Sequence, residues 1–147
     1  MIWLAVMVGV ALADEGEVSG EAAPEVSVPL VEVTLVSRMT ELQEYWSVVV
    51  PPDGVVLEER FPTARRRWLW EVTLTMEMGA PPEAIPFQFE LAEVKVNRRG
   101  ETRRREVITA GEVVTHNGGR ANFESVVKDH KGRAVEDFEV ILRPRLQ

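Results

Sequence analysis

The chain has 147 residues, no cysteine and a formal net charge of −7. Without cysteine, neither disulfides nor a lipidated cysteine can hold or anchor the chain, so its stability has to come from burial. The length suits one domain of ordinary size. The acidity is local: residues 14–27 hold five acids and no base, whereas residues 94–147 hold 12 bases against 8 acids. The net charge therefore excludes little about partners, and the C-terminal half is basic.

The first segment, Met1–Ala13, has the pattern of a secretory signal peptide. It carries no charged side chain and ends in Ala11-Leu12-Ala13, directly before the first acids. A helix of this length would cover roughly 20 Å of a hydrocarbon core about 30 Å thick, so we expect no membrane span. We predict cleavage after Ala13 and a protein located in the periplasm or at the outer membrane, with no transmembrane helix after cleavage. The alternative is a buried first strand or helix of a cytoplasmic domain.

Residues 14–27 combine the five acids with glycine, alanine and proline and show no apolar period. Such a segment cannot bury enough apolar surface to offset the entropy of ordering it. We predict an acidic flexible linker at 14–27, followed by a single β-domain at 28–147.

Apolar residues recur at every second position through most of residues 28–147, which is typical of half-buried antiparallel strands. The clearest strand is Trp68–Met78, and others are predicted around Val31–Leu35, Ala121–Val127 and Phe138–Leu142. Turn residues separate the strands at Pro51–Gly54, Gly79–Pro82, Arg99-Gly100, Asn117-Gly118 and Lys131-Gly132. The pattern predicts an all-β fold, an antiparallel β-sandwich or a partly open barrel of about eight or nine strands.

Two local departures from this pattern are predicted. Residues Met39–Tyr45 could form one short helix, with Thr40 as its N-cap. Apolar residues change from odd to even positions near Ala92-Glu93, which predicts a β-bulge there.

No group of residues indicates catalysis, a metal or a cofactor. His116 and His130 are predicted at opposite ends of one strand, about 25 Å apart, which is too far for shared coordination. No serine lies in a nucleophile elbow, and neighbouring acids on a strand point to opposite faces. We therefore predict that the protein is not an enzyme and binds no cofactor.

Arginine triplets are the sharpest charge feature of the chain. They are Arg65, Arg66 and Arg67, and Arg103, Arg104 and Arg105. Guanidinium groups suit phosphate or carboxylate recognition, although arginines also serve to solubilise and protect strand edges. Export disfavours nucleic acid as a partner, which leaves an anionic surface or polymer, or a protein partner.

The chain has three tryptophans that form either an aromatic ligand platform or part of the core: Trp46, Trp68 and Trp70. Trp68 and Trp70 share the apolar face of one strand.

The run Val107–Phe123 contains T-H-N-G-G-R-A-N-F and resembles a segment of bacterial secretins, the pore-forming proteins of type II and type III secretion. Phe138–Pro144 is similar to the family's closing strand, and Pro29–Val36 to its opening strand, in the same order. The Asn117-Gly118 pair is predicted to form a type I′ turn with positive φ at both residues. The chain lacks the glycine-rich hairpins that line a secretin pore, so the resemblance does not extend to pore formation.

The leading hypothesis is an exported, non-enzymatic β-domain, a secretin-like module that acts through contacts with a protein partner or by self-association. The alternative is a soluble extracytoplasmic binding module of the sandwich type that recognises an anionic or polymeric ligand. In the alternative, the arginine clusters and the tryptophans would contact the ligand.

Overall fold

The computed structural model describes residues 4–12, 28–39 and 41–146. These residues form nine strands and no helix: β1 (Leu4–Leu12), β2 (Pro29–Ser37), β3 (Leu42–Val49), β4 (Val55–Pro62), β5 (Trp68–Met76), β6 (Ile85–Val96), β7 (Thr102–Thr115), β8 (Arg120–Lys128) and β9 (Ala134–Leu146). The all-β prediction is confirmed. The predicted linker at 14–27 lies outside the described residues.

The strands form two antiparallel sheets. Sheet A has the order β1-β8-β9-β2-β3, and sheet B has the order β4-β5-β6-β7. The two sheets pack face to face as a β-sandwich and do not close into a barrel. The sandwich prediction is confirmed. Most of the predicted signal peptide, Leu4–Leu12, forms the outermost strand of sheet A and pairs with β8 along its whole length.

Side chains that alternate along the strands build the core between the sheets. In β2, Val31, Val33 and Leu35 are fully buried. Phe89 of sheet B stacks on Phe123 of sheet A with ring centroids 5.1 Å apart. Each such side chain contributes about 1.5–3 kcal/mol when it leaves water, so this layer holds the sheets together.

The predicted short helix at Met39–Tyr45 is wrong. Residues from Leu42 onward form β3, which pairs with β2 from Ser37↔Leu42 to Leu30↔Val49. The local sequence is rich in good helix formers, but the hydrogen bonds to β2 and the half-buried alternate side chains outweigh this weak preference.

The predicted bulge is close to a real irregularity but on a different strand. The β6–β7 register shifts between Leu91 and Ala92, and the extra residue is Ile108 of β7. The β5–β6 pairing runs through the same region without a break. The predicted irregularity near Ala92-Glu93 is therefore confirmed in the β6–β7 pairing, but its extra residue is on β7, so Glu93 stays on the face of β6 that carries Leu91.

Asn117 and Gly118 lie in the turn between β7 and β8, but the predicted type I′ conformation is wrong. Gly118 has φ of +79°, whereas Asn117 is not among the residues with positive φ. The amide of Gly119 donates to the carbonyl of His116 at 2.8 Å. Positive φ only at the third residue of the four is the pattern of a type II turn, in which glycine is needed at that position alone.

Candidate functional site

Two hairpin loops bring the predicted arginine triplets to one end of sheet B. The first triplet lies in the β4–β5 loop, and the second opens β7 after the β6–β7 loop. Trp68 of β5 pairs with Lys95 of β6, which in turn pairs with Arg104 of β7. Because neighbouring strands lie about 4.8 Å apart, the triplets are separated only by the width of β6. We call this surface the basic end; it comprises Arg65, Arg66, Arg67, Lys95, Arg98, Arg99, Arg103, Arg104 and Arg105.

Hydrogen bonds within the two loops hold their backbones in place. The Thr63 hydroxyl accepts from the amide of Arg65 at 3.0 Å, and the amide of Trp68 donates to the Arg65 carbonyl at 3.2 Å. In the other loop, Asn97 Oδ1 accepts from the amides of Arg99 and Glu101, both at 2.9 Å. The arginines at the loop tips are therefore exposed on fixed turns.

The arginines of the basic end divide into paired and unpaired groups. Arg65 lies 3.5 Å from Glu93, Arg104 lies 4.0 Å from Glu106, and Arg105 pairs with both Glu71 and Glu90. Five others have no ion pair among the described residues: Arg66, Arg67, Arg98, Arg99 and Arg103. Of the six predicted arginines, Arg65 and Arg105 are thus paired with buried acids, and Arg104, 68% exposed, makes only a surface contact with Glu106. The other three are exposed and have no ion pair among the described residues.

Glu71 joins three strands of sheet B on its outer face. Its carboxylate accepts from Arg60 of β4 and from Arg105 of β7, both at 2.9 Å, although its side chain is only 6% exposed. Burial alone would raise the pKa of Glu71, but the hydrogen bonds from Arg105 and Arg60 outweigh it and lower the pKa. The ionised carboxylate of Glu71 therefore links β4, β5 and β7 through these two ion pairs.

A second cluster lies where the inner face of sheet B reaches the basic end. Glu93 is 2% exposed, and its burial raises its pKa, while the charge of Arg65 opposes that rise. The Arg65 guanidinium lies 4.3 Å from the centre of the Trp68 ring, and Lys95 Nζ lies 5.7 Å from the same ring. Trp68 is thus a half-buried support for two cations.

The tryptophans do not form one platform. Trp70 is 3% exposed and meets Phe138 edge to face at 6.0 Å, so its predicted core role is confirmed. Trp68 packs under cations, and Trp46 lies on β3 of the other sheet. Sequence reasoning did not identify Glu93 and Lys95 as part of this surface. The signal that could have identified them is their position, because both charged residues continue the odd-numbered face of Phe89 and Leu91.

His116 and His130 lie in the turns before and after β8. Within the described ranges, no three His, Cys, Asp or Glu side chains are grouped closely enough to hold a metal ion. The described part of the chain also contains no helix that could cross a membrane.

Fold and site together define an antiparallel β-sandwich with a basic end. None of the protein-family models, curated proteins or solved structures compared with this chain matches it.

Proposed function

We propose that this chain is an exported, non-enzymatic β-sandwich module that acts through protein contacts in the periplasm or at the outer membrane, and that the basic end binds an acidic surface of the partner. The observation that carries the proposal is a group of five exposed arginines with no ion pair among the described residues, four on two hydrogen-bonded loops and Arg103 at the start of β7. The partner is another protein or a second copy of this chain. Because exposed charges act over about 8 Å at physiological salt, such a surface attracts an acidic partner before contact.

Arg67 adds support, because its backbone at the basic end has an uncommon conformation. Its φ is +65°, in the left-handed region, where a side chain other than glycine costs about 1–2 kcal/mol. Such outliers cluster at binding and catalytic sites. Glycine would relieve the strain but would remove the charge.

The resemblance to secretins supports a function that depends on protein contacts. Of its three segments, Pro29–Val36 lies in β2 and Phe138–Pro144 lies in the neighbouring strand β9, whereas Val107–Phe123 runs from β7 of sheet B through the turn to the start of β8 in sheet A. Secretins assemble and act by protein contacts, and this chain would share that mode of action.

We expect a photo-crosslinking residue at position 99 to capture one discrete protein in the producing cell. The triple variant Arg66→Glu, Arg98→Glu, Arg103→Glu should reduce this cross-link by about tenfold or more, because each reversed charge replaces attraction with repulsion. The charge-keeping variant Arg66→Lys, Arg98→Lys, Arg103→Lys should retain most of it. A cross-linker at the exposed Glu83, in the β5–β6 loop at the opposite end of sheet B, is the positional control.

A cross-link at position 99 that the glutamate variant leaves unchanged, or no cross-link there at all, would contradict the proposal. The mass of the product distinguishes a second copy of this chain from another protein.

An anionic ligand is the second candidate function, and the same unpaired guanidinium groups favour it because their planar fork matches phosphate and carboxylate. Purified protein mixed with vesicles of phosphatidylglycerol or phosphatidylcholine separates the two functions. Binding to the anionic vesicles that the glutamate variant loses, without any protein cross-link at position 99, would replace the protein partner with an anionic surface.

A further inference from the structure

The β1 strand covers an edge of the sandwich that the rest of the chain leaves open. It pairs with β8 from Leu4↔Lys128 to Leu12↔Arg120, nine residues against nine, and has no other neighbour in sheet A. It also contacts β7, the edge strand of sheet B. The strand therefore closes the side of the sandwich between the two sheets.

This same strand lies within the segment predicted to be removed on export. Its sequence, LAVMVGVAL, has no charged residue. Cleavage after Ala13 would leave the full length of β8 with unpaired backbone groups on one side, which is a template for another strand.

The edge of β8 carries few of the features that protect exposed edges. Between its charged ends, Arg120 and Lys128, the strand has no proline and one charged side chain, Glu124. By contrast, the edge strand β4 carries Glu58-Glu59-Arg60 and Pro62. Natural edge strands use charge and proline in this way to prevent strand addition, so β8 is suited to accept a strand.

Unpaired polar side chains on β7 and β8 give a second observation. Three buried side-chain atoms have no hydrogen-bond partner among the described residues, and all lie on β7 or β8: Thr115 Oγ1, Asn122 Oδ1 and Ser125 Oγ. Ser125 is fully buried and lies opposite Met7 of β1. An unsatisfied buried polar group costs about 1–3 kcal/mol. Ser125 Oγ is therefore a buried polar atom, on the residue opposite Met7, that no described group satisfies.

The remaining N-terminal residues cannot take the place of β1. Residues 14–27 hold five acids, two glycines and a proline, and no run of apolar residues. The described strands β2 to β9 are already paired within their sheets. A replacement strand has to come from another molecule.

We propose that, in the processed protein, β8 accepts an uncharged, apolar strand of about nine residues from a protein partner, antiparallel and in the place of Leu4–Leu12. This inference rests on the proposed export and cleavage. Backbone hydrogen bonds supply the affinity of such strand addition, and the alternate side chains supply its specificity.

The test compares the full chain with the form that begins at Asp14, by hydrogen exchange of the β8 backbone amides. The probe is a synthetic peptide of residues 4–12 followed by two lysines. We expect alternate amides of Arg120–Lys128 to exchange about tenfold or more faster in the Asp14 form, because only alternate residues face a neighbour on one side. The peptide should restore their protection, whereas the same peptide with proline at Val8 should not.

Equal exchange of β8 in both forms, or a peptide that protects no β8 amide, would overturn the inference. If the Asp14 form does not fold alone, recovery of its β-sheet circular dichroism with the peptide, and not with the proline peptide, supports strand addition, and failure to recover overturns it. The Asp14 form could instead pair with itself into dimers that the peptide does not dissociate. That result would assign the β8 edge to a second copy of the chain and overturn the proposal of a strand from a partner. None of these results depends on the arginines, so the basic end is tested separately.

Discussion

Phe123→Ala should lower the free energy of unfolding by about 3–5 kcal/mol, a large part of the 5–15 kcal/mol that stabilises an ordinary domain. Phe123 is 1% exposed and stacks on Phe89 at 5.1 Å, with the ring planes 19° apart. Removing the ring leaves a cavity between the two sheets, and the aromatic pair itself contributes about 0.5–1.5 kcal/mol beyond its buried area.

Phe123→Leu is the matched control, because it keeps most of the volume and should cost less than about 1.5 kcal/mol. Urea unfolding followed by tryptophan fluorescence measures both variants. A loss below about 1 kcal/mol for Phe123→Ala would mean that the sheets are not packed face to face at this point.

Gly54→Ala should cost about 3 kcal/mol or more, because two effects add at this position. Gly54 has φ of +81°, and a Cβ there would lie far inside contact distance of the Met76 carbonyl oxygen. The clash is with backbone, and the Met76 amide donates to the Gly54 carbonyl at 2.8 Å. The clash in the alanine variant can therefore be removed only if β4 moves away from β5.

Gly118→Ala isolates the conformational part of this cost. Gly118 has φ of +79°, but a Cβ there would meet nothing within 4 Å, so we expect a loss of about 1–2 kcal/mol. Urea melts of the two variants give the difference directly. Equal losses would show that Gly54 is not in close contact with β5.

The fold class could be predicted because the alternation of apolar residues is a local signal. Trp68–Met78 shows it most clearly, and β5 occupies Trp68–Met76. The predicted turn residues likewise lie between strands, since glycine, proline and asparagine act through their own backbone preferences. The helix prediction failed because the outcome depends on a neighbouring strand. Residues 42–45 prefer a helix when they are considered in isolation, but they form a strand because β2 pairs with them.

The candidate site could be predicted only in part. The sequence alone identified the arginine triplets but not the pairing of Arg105 with Glu71. Their meeting at one end depends on the order β5-β6-β7 and its register, which no local pattern contains. A register change was predicted at Ala92-Glu93 because the apolar residues move from odd to even positions there, so Glu93 was not recognised as a buried acid. Its partner Arg65, 28 residues away, is what makes that burial tolerable.

Export is the central claim, because both the contact through the basic end and the open edge of β8 rest on it. The direct measurement is the intact mass of the protein recovered from the periplasm of a Gram-negative host that expresses the chain from Met1. The account predicts a periplasmic protein that begins at Asp14, since the segment up to Ala13 has the uncharged, apolar character of a signal peptide. A folded cytoplasmic protein that retains Met1 would contradict it, and β1 would then be a permanent strand of sheet A.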